Sequence, residues 1–254
     1  MTFTGRHWSE LHREGYTIVS GAIDERLLRP AAAAAEALNA SHPEGGWKRT
    51  ADESWREVWH CPHPAFVAIV EEVLDPLAEE ILESVHAPDR IQLASTTPGF
   101  ISEANIRRHF HIDGGRGPSL AAFNFVFGVA LTDVASDTAG GFHVLPKSHD
   151  KFAETFRRQT LPVHWGEVKV ATQDEILKGA RMIVPRLRPG DIIVVHSFLG
   201  HGTSTNTTTI RRDMIFQRRA AKPLADPATQ MQARESFMRD HWSFFRRHPE
   251  ARGS

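Results

Sequence analysis

The chain has 254 residues, of which 41% are hydrophobic and 24% charged, the proportions of an ordinary globular protein. Its 30 basic and 31 acidic residues nearly cancel, so no net charge attracts nucleic acid or an anionic membrane, and we expect neither partner. No run approaches the ~20 apolar residues of a membrane span, and the N-terminus lacks the apolar segment of a secretion signal. Cys61 is the only cysteine, which excludes an intrachain disulfide, and we expect a cytoplasmic protein.

Residues 1–87 are predicted to be mainly helical. A helix through "SELHRE" leads into an apolar strand, "YTIVSG", and Asp24 is placed to cap an alanine-rich helix that ends near Leu38. A further helix follows Pro64, and Pro76 starts or kinks a second segment that reaches Val85. Between these helices, "GGWKRTADESWREVW" mixes aromatic residues with charges of both signs. It predicts either a segment over the mouth of a site or a surface loop leading to an amphipathic helix.

Residues 89–220 are predicted to be mainly strands, because β-branched and aromatic stretches alternate there with turn-forming residues. The stretches are "RIQLAST", "RRHFHID", "AAFNFVFGVAL", "GFHVLP", "DIIVVHSF" and "RRDMIFQRR". Helices are predicted at 151–158 and 174–178. The pattern favours one domain over 1–254, mainly β: a double-stranded β-helix, or cupin-like jelly roll, covered by α-helices.

A C-terminal helix is predicted over residues 227–247. Within it Met231, Met238, Trp242 and Phe245 recur at spacings of seven, four and three, which indicates one packing stripe.

The segment "HFHIDGG", residues 109–115, places His109, His111 and Asp113 on alternate positions, which share one face of a strand. His196 and His201 follow in "GDIIVVHSFLGHGTSTN". Two imidazoles and one carboxylate on a rigid sheet leave open positions on an octahedral ion, the ligand set of non-haem Fe(II) oxygenases. An H-x-D triplet often arises by chance, so this pattern alone is weak evidence for a metal site, and the polar face of a strand is the more common interpretation.

Four stretches in order resemble the phytanoyl-CoA dioxygenase family of Fe(II)- and 2-oxoglutarate-dependent oxygenases. They are "HFHIDGG", "VALTDVASDTAGGFHVLPKSHD", "LRPGDIIVVHSFLGHGTSTN" and "IRRDMIF". The resemblance covers residues 89–220, and "LHREGYTIVSG" resembles the helix-then-strand opening of the family. One departure is Lys147, where the family commonly has glycine after the proline.

The resemblance implies that His111, Asp113 and His201 bind Fe(II), with 2-oxoglutarate as cosubstrate and O2 as oxidant. The implied reaction hydroxylates an unactivated C–H bond of a small molecule and releases succinate and CO2. His201 is favoured over His196 because the family's H-G-x-x-x-N run begins there. Family members that halogenate carry a small residue at the position of Asp113, so a halogenase is not expected. His109 is interpreted as a hydrogen-bonding neighbour of the ligands or as a core histidine.

The family also binds the distal carboxylate of 2-oxoglutarate with an arginine, and two candidates are adjacent, Arg211 and Arg212. Only one can point into the barrel. We predict Arg211, because Arg212 shares its face with Met214 and Phe216, which we expect to pack outward against helices. The family's usual offset from the histidine favours Arg212 instead. Three further residues are expected either to hydrogen-bond the cosubstrate or to be ordinary polar strand residues: Thr203, Gln92 and Thr96.

Three alternative functions remain from the sequence: a cupin-type metalloenzyme that does not use 2-oxoglutarate, a zinc hydrolase, and a non-catalytic binding domain. Arg107, Arg108 and Arg116 bracket the H-x-D and are compatible with an anionic small-molecule substrate, such as an amino acid, a carboxylate or a phosphorylated compound. Acyl-CoA stays open as a substrate. The sequence predicts no oligomeric state.

Overall fold

The computed structural model describes residues 2–41, 47–49, 55–58, 60–86, 90–101, 112, 123–158 and 181–246. Several predicted features lie outside these residues: His109, His111, Asp113, Arg107, Arg108, Arg116 and the helix at 174–178. They stay predictions.

The described residues form nine strands in two antiparallel sheets. The strands are β1 (Tyr16–Val19), β2 (Trp47–Arg49), β3 (Trp55–Val58), β4 (Gln92–Thr96), β5 (Phe125–Ala130), β6 (Phe142–Val144), β7 (Ile192–His196), β8 (His201–Thr203) and β9 (Arg212–Arg219). The large sheet has the order β1-β7-β5-β9-β4-β3-β2, and the small sheet pairs β6 with β8. The predicted mainly β fold with covering helices is confirmed, and the five predicted strand stretches after residue 89 that are described contain β4, β5, β6, β7 and β9.

The tryptophan-rich segment was predicted to be a loop or a lid, but its described residues pair as β2 and β3 at the edge of the large sheet. The register places Glu57 of β3 opposite Ala94 of β4. This pairing brings a carboxylate from the N-terminal part of the chain onto the sheet that carries β9.

The helices lie on one side of the large sheet. They are α1 (Gly5–Glu14), α2 (Glu25–Ser41), α3 (Pro64–Ile69), α4 (Asp75–Ile81), α5 (Ser148–Arg157), α6 (Lys222–Ala225) and α7 (Gln230–Arg239). Asp24 caps α2 as predicted, because its carboxylate accepts the N–H of Leu27 at 3.1 Å. No helix in the described part of the chain is both long and apolar enough to span a membrane.

Pro76 sits in a continuous run of helix that includes a π-helical turn, Val70–Leu74, between α3 and α4. The N–H of Asp75 donates to the carbonyl of Val70, five residues earlier. Proline offers no N–H and its ring crowds the carbonyl four residues before it, so a widened turn accommodates Pro76 without ending the helix.

Both faces of the large sheet are buried. One face packs on the helices and forms the helix-facing core, which includes Leu93, Phe127, Val194 and Ile215 together with Leu11, Phe66 and Ile69 of the helices. The other face packs on the small sheet and forms the inner core, which includes Ala94, Val126, Met214 and Phe216 together with Phe142 and Val144 of β6. Because the two faces are about equally apolar, the strands do not show the alternation of a half-exposed sheet.

The predicted C-terminal stripe is wrong in part. Helix α7 ends at Arg239, and Asp240 adopts an extended conformation with φ −132° and ψ 98°. Trp242 and Phe245 therefore follow in turns and do not continue one helical face. Met231 is 71% exposed, and the buried face of α7 consists of Ala233, Phe237 and Met238.

Candidate active site

His201 lies on the small sheet and faces the inner core. It begins β8 and pairs with Val144 of β6, while Thr203 pairs with Phe142. Its side chain is buried, and its ring stacks on that of Phe142 with centroids 4.9 Å apart. Phe142 in turn contacts Phe216 of β9 at 5.5 Å. Aromatic packing between the two sheets thus fixes the orientation of the imidazole.

The hydrogen bond of His201 sets which ring nitrogen carries the proton. Nδ1 lies 2.8 Å from the carbonyl oxygen of Leu199, which can only accept. In the neutral ring Nδ1 therefore holds the proton and Nε2 holds the lone pair. A metal-binding histidine commonly has this arrangement, in which a carbonyl orients the ring through the other nitrogen. His201 is thus prepared to bind a metal through Nε2.

His196 is a packing residue on the helix-facing side. Its Nδ1 accepts the N–H of Phe198 at 3.1 Å, and its Nε2 donates to the carbonyl of His241 at 2.9 Å. Complete burial holds the pKa of His196 well below its usual value, so the ring is neutral. With both nitrogens in hydrogen bonds to the main chain, His196 has no lone pair left for a metal.

The prediction that Arg211 points into the barrel is wrong. Its guanidinium contacts the carboxylate of Asp213 through two nitrogens, at 2.9 and 2.8 Å, and that of Glu36 on α2 at 2.5 Å. These contacts raise the pKa of Arg211, with the hydrogen bond to Asp213 the largest cause. The prediction assumed that the apolar face of β9 would turn to the helices, but the inner core is also apolar. The two carboxylates let the helix-facing side accept the cation.

Arg212 is the inward-facing arginine. Its side chain is 2% exposed, its Nε donates to the carbonyl of Gly140 at 2.5 Å, and its Nη1 donates to the carbonyl of Ala94 at 2.9 Å. Burial lowers the pKa of Arg212 to about 10, so it is still a cation at neutral pH. Within the described residues no carboxylate forms an ion pair with it. A buried cation held only by carbonyls is costly, and a bound anion would offset that cost.

Two of the three polar residues predicted to assist lie on the same face of β4 as Ala94. Thr96 is opposite Arg212, and its hydroxyl donates to the carbonyl of Gly140 at 3.3 Å. Gln92 lies at the other end of the strand, where its amide nitrogen donates to Glu57. Thr203, the third, is partly exposed beside His201 on β8.

Two charged residues next to Gln92 were not identified from the sequence. Arg218 donates to the amide oxygen of Gln92 at 2.8 Å, and its guanidinium lies 5.7 Å from the centre of the Phe123 ring. Glu57 accepts from the same amide. Alternation along β9 places Arg218 on the same face as Arg212 and could have identified it, whereas Glu57 reaches this face only through the pairing of β3 with β4.

The sequence profile of the phytanoyl-CoA dioxygenase (PhyH) family matches residues 11–214. Among solved structures, the non-haem α-ketoglutarate-dependent epimerase SnoN from nogalamycin biosynthesis is 18% identical, with a TM-score of 0.64 over 85% of this chain and 81% of its own. EctD from S. alaskensis, with 2-oxoglutarate and 5-hydroxyectoine, is 16% identical, with a TM-score of 0.64 over 86% and 76%. HygX from Streptomyces hygroscopicus, with nickel and 2-oxoglutarate, is 14% identical, with a TM-score of 0.59 over 87% and 88%. These likenesses show a shared fold, and no curated protein sequence matches the chain.

Proposed function

Because the chain belongs to the phytanoyl-CoA dioxygenase family, we propose that it hydroxylates an unactivated C–H bond of a small molecule and releases succinate and CO2. Its cofactors are those of the family, Fe(II) and 2-oxoglutarate, with O2 as the oxidant. The observation that carries the proposal is the buried guanidinium of Arg212, which faces the inner core without a carboxylate from any described residue.

The metal ligands in this proposal are His201, His111 and Asp113. His201 fits the role because the Leu199 carbonyl holds the proton on Nδ1 and leaves Nε2 as the donor. Ile112, between the other two, is buried in the helix-facing core. That is the burial expected for the residue between two ligands that point to the opposite face of a strand. When bound, iron and 2-oxoglutarate would activate O2, the oxidant that cleaves the C–H bond, with two electrons coming from 2-oxoglutarate as it is converted to succinate and CO2.

Arg212 would bind the distal carboxylate of 2-oxoglutarate. Its Nε and Nη1 already donate to main-chain carbonyls, whereas its Nη2 makes no hydrogen bond to a described residue. These two carbonyls fix the plane of the guanidinium, so that Nη2 is held ready to donate to a ligand carboxylate. A cupin-type enzyme that does not use 2-oxoglutarate would have no need of this cation.

The apolar inner core would exclude water from the reaction. Phe142, Val126, Met214 and Phe216 are all buried and line the space between the two sheets. A low local dielectric strengthens the attraction between Arg212 and a carboxylate. It also keeps bulk water from the reacting centre, so that oxidation is directed to the bound substrate.

The test is turnover of 2-oxoglutarate. Protein made anaerobic and loaded with Fe(II) should give a weak visible charge-transfer band when 2-oxoglutarate is added. After exposure to O2, a metabolite library rich in amino acids, other carboxylates and phosphorylated compounds should contain members that stimulate succinate release and gain one oxygen atom by mass spectrometry. His201→Ala should lose both signals, and His60→Ala, a change at an exposed histidine, should keep them.

Two outcomes would contradict the proposal, the first in full and the second in part. Wild-type protein that gives no band, and no more succinate than His201→Ala with every compound, is not a 2-oxoglutarate-dependent oxygenase. Succinate release with a product that gains no oxygen would keep the oxygenase class and overturn hydroxylation.

A further inference from the structure

A second group of possible metal ligands lies on the helix side of the large sheet. His149 and Asp150 are in the first turn of α5, and His241 is in the turn after α7. One donor atom from each lies within 4.8 Å of the other two. The ring of His149 contacts that of His196, which belongs to the helix-facing side, at 5.6 Å. This group shares no residue with the ligands proposed for iron, so it is a separate feature.

Two donor-atom distances in this group are close to those around a small tetrahedral ion, and the third pair of donor atoms lies within 4.8 Å. Oδ1 of Asp150 is 3.1 Å from Nε2 of His241 and 3.7 Å from Nε2 of His149. A tetrahedral zinc ion with nitrogen and oxygen ligands at about 2.0–2.1 Å holds its donor atoms about 3.3 Å apart. Small movements of the side chains would therefore bring all three donors onto one ion.

Burial leaves one side of the group open. The side chains of His149 and His241 are 0% and 8% exposed, whereas that of Asp150 is 57% exposed. An ion bound here would take three protein ligands and keep a position for water on the side of Asp150. Two imidazole nitrogens and one carboxylate favour zinc or a similar transition ion over Mg²⁺ and Ca²⁺, which prefer oxygen ligands.

The protonation of these groups suits a cation. Burial lowers the pKa of His149 to about 4, so the ring is neutral at physiological pH. The hydrogen bond from His241 is the main cause that lowers the pKa of Asp150, which is therefore anionic. A metal binds imidazole in its neutral form, so this ligand set would offer the ion a single compensating charge, that of the Asp150 carboxylate.

Binding a metal would cost His149 only one hydrogen bond. Its Nε2 now donates to the carbonyl of His12 at 3.0 Å, and its Nδ1 is buried without a hydrogen-bond partner in the described part of the chain. Metal binding at Nε2 moves the proton to Nδ1, which is unpartnered in both tautomers. The exchange therefore costs one hydrogen bond, that to His12.

We propose that His149, Asp150 and His241 form a second metal site, selective for Zn²⁺ or a similar divalent transition ion, that fastens the C-terminal segment to α5. In the metal-free protein the same two segments are joined by the hydrogen bond between His241 and Asp150 and by contacts of the His149 ring with the rings of His241 and Trp242. The site is independent of the proposed oxygenase chemistry, because neither the ion nor its ligands reach the inner core.

The experiment measures zinc in protein that lacks the proposed iron ligand. His201→Ala, stripped with chelator, incubated with Zn²⁺ and dialysed, should retain about one zinc per chain by elemental analysis, and its melting temperature should rise on zinc addition. The double variant His201→Ala, Asp150→Asn should bind zinc at least 10-fold more weakly and lose the shift. Asp150 is exposed, so its amide should not disturb folding. His201→Ala, Asp133→Asn, altered at another exposed aspartate, should match the single variant.

Equal zinc content and equal affinity with and without Asp150→Asn would overturn the site, as would a His201→Ala protein that retains no zinc. Succinate release is not measured here, so failure of the second metal site and failure of the oxygenase function give different results. Co²⁺ in place of Zn²⁺ should give the intense visible absorption of a tetrahedral ion in His201→Ala, and that absorption should disappear in the Asp150→Asn double variant.

Discussion

Arg212 and Thr96 face each other across β9 and β4, and both donate a hydrogen bond to the carbonyl oxygen of Gly140, at 2.5 and 3.3 Å. Gly140 comes two residues before β6, which pairs with the strand that begins at His201. One main-chain oxygen therefore connects the inward-facing cation of the large sheet to the small sheet that carries the proposed metal ligand. We infer that this contact of the Gly140 carbonyl helps to set the distance between Arg212, proposed to bind 2-oxoglutarate, and His201, proposed to bind iron.

Gly140→Ala should destabilise the protein and weaken 2-oxoglutarate binding. Gly140 has φ +68°, and a Cβ there would lie 2.0 Å from the hydroxyl oxygen of Thr96. The left-handed conformation costs a non-glycine residue about 1–2 kcal/mol, and relieving the contact adds about 1–3 kcal/mol. The matched control is Gly21→Ala, at φ +62° with no atom within 4 Å of the added Cβ.

Urea unfolding of the two variants separates these contributions. Gly21→Ala should lose only the conformational cost and keep its KM for 2-oxoglutarate. Equal losses of unfolding free energy in Gly140→Ala and Gly21→Ala would show that the contact with Thr96 adds nothing to the destabilisation.

The two adjacent arginines should give opposite phenotypes. Arg212→Lys keeps the charge but loses the planar fork, and we expect it to raise the KM for 2-oxoglutarate about 10- to 100-fold, the loss of one or two charge-assisted hydrogen bonds. Arg211→Ala should leave that KM within about threefold. It should instead lower the free energy of unfolding by about 1–3 kcal/mol, because the buried carboxylate of Asp213 loses its cation. A large KM effect in Arg211→Ala with none in Arg212→Lys would reverse the assignment.

Arg211 and Arg212 show that the sequence alone did not predict which of two adjacent arginines points into the barrel. The strand "RRDMIFQRR" is recognisable from its composition, and the offset from His201 favours Arg212, yet the pattern of apolar residues favoured Arg211. Alternation identifies two faces but cannot say which face meets the helices when both are buried. Charged residues from distant segments determine which face meets the helices. Glu36 on α2, 175 positions away in the chain, accepts a hydrogen bond from Arg211.

Other parts of the site also depend on pairing between distant segments or on elements too short to be predicted from the sequence. Glu57 lies near Gln92 only because β3 pairs with β4, and no local pattern in "WREV" indicates that partner. Strand β8 has three residues, one of them glycine, and carries too little β propensity to be predicted. His201 was predicted as a metal ligand from the family resemblance, and its ring orientation came only from the structure.

His196 and His201 are five residues apart and should respond differently to replacement. His196→Phe leaves the N–H of Phe198 and the carbonyl of His241 without partners. We expect a loss of about 2–4 kcal/mol in unfolding free energy, with Fe(II) binding retained. His201→Ala should lose iron with a smaller loss of stability. Calorimetric Fe(II) titration and thermal unfolding of both variants measure this, and loss of iron from folded His196→Phe would refute the assignment of His196 to packing.

The last prediction concerns Asp113, which the family resemblance makes the only anionic protein ligand of the iron. A carboxylate at this position occupies the place that a halide would otherwise take, so the wild-type enzyme should hydroxylate even with saturating chloride or bromide. Asp113→Gly should lose most hydroxylation, because two neutral imidazoles hold Fe(II) less tightly than two imidazoles and a carboxylate. Added chloride can fill the vacated ligand position, yet chlorination also requires a substrate placed to favour transfer of the halogen.

Product mass from wild type and Asp113→Gly, each with saturating chloride and with bromide, decides the role of Asp113. His201→Ala is the matched control. It also removes a proposed iron ligand, but that ligand is a neutral imidazole, so the carboxylate position stays occupied and is not opened to a halide. The expected outcome is a gain of one oxygen in wild type under every condition, and little product from either variant. A halogenated product from wild type, or hydroxylation by Asp113→Gly at the wild-type rate, would show that Asp113 does not complete the ligand set and that another residue supplies the negative charge.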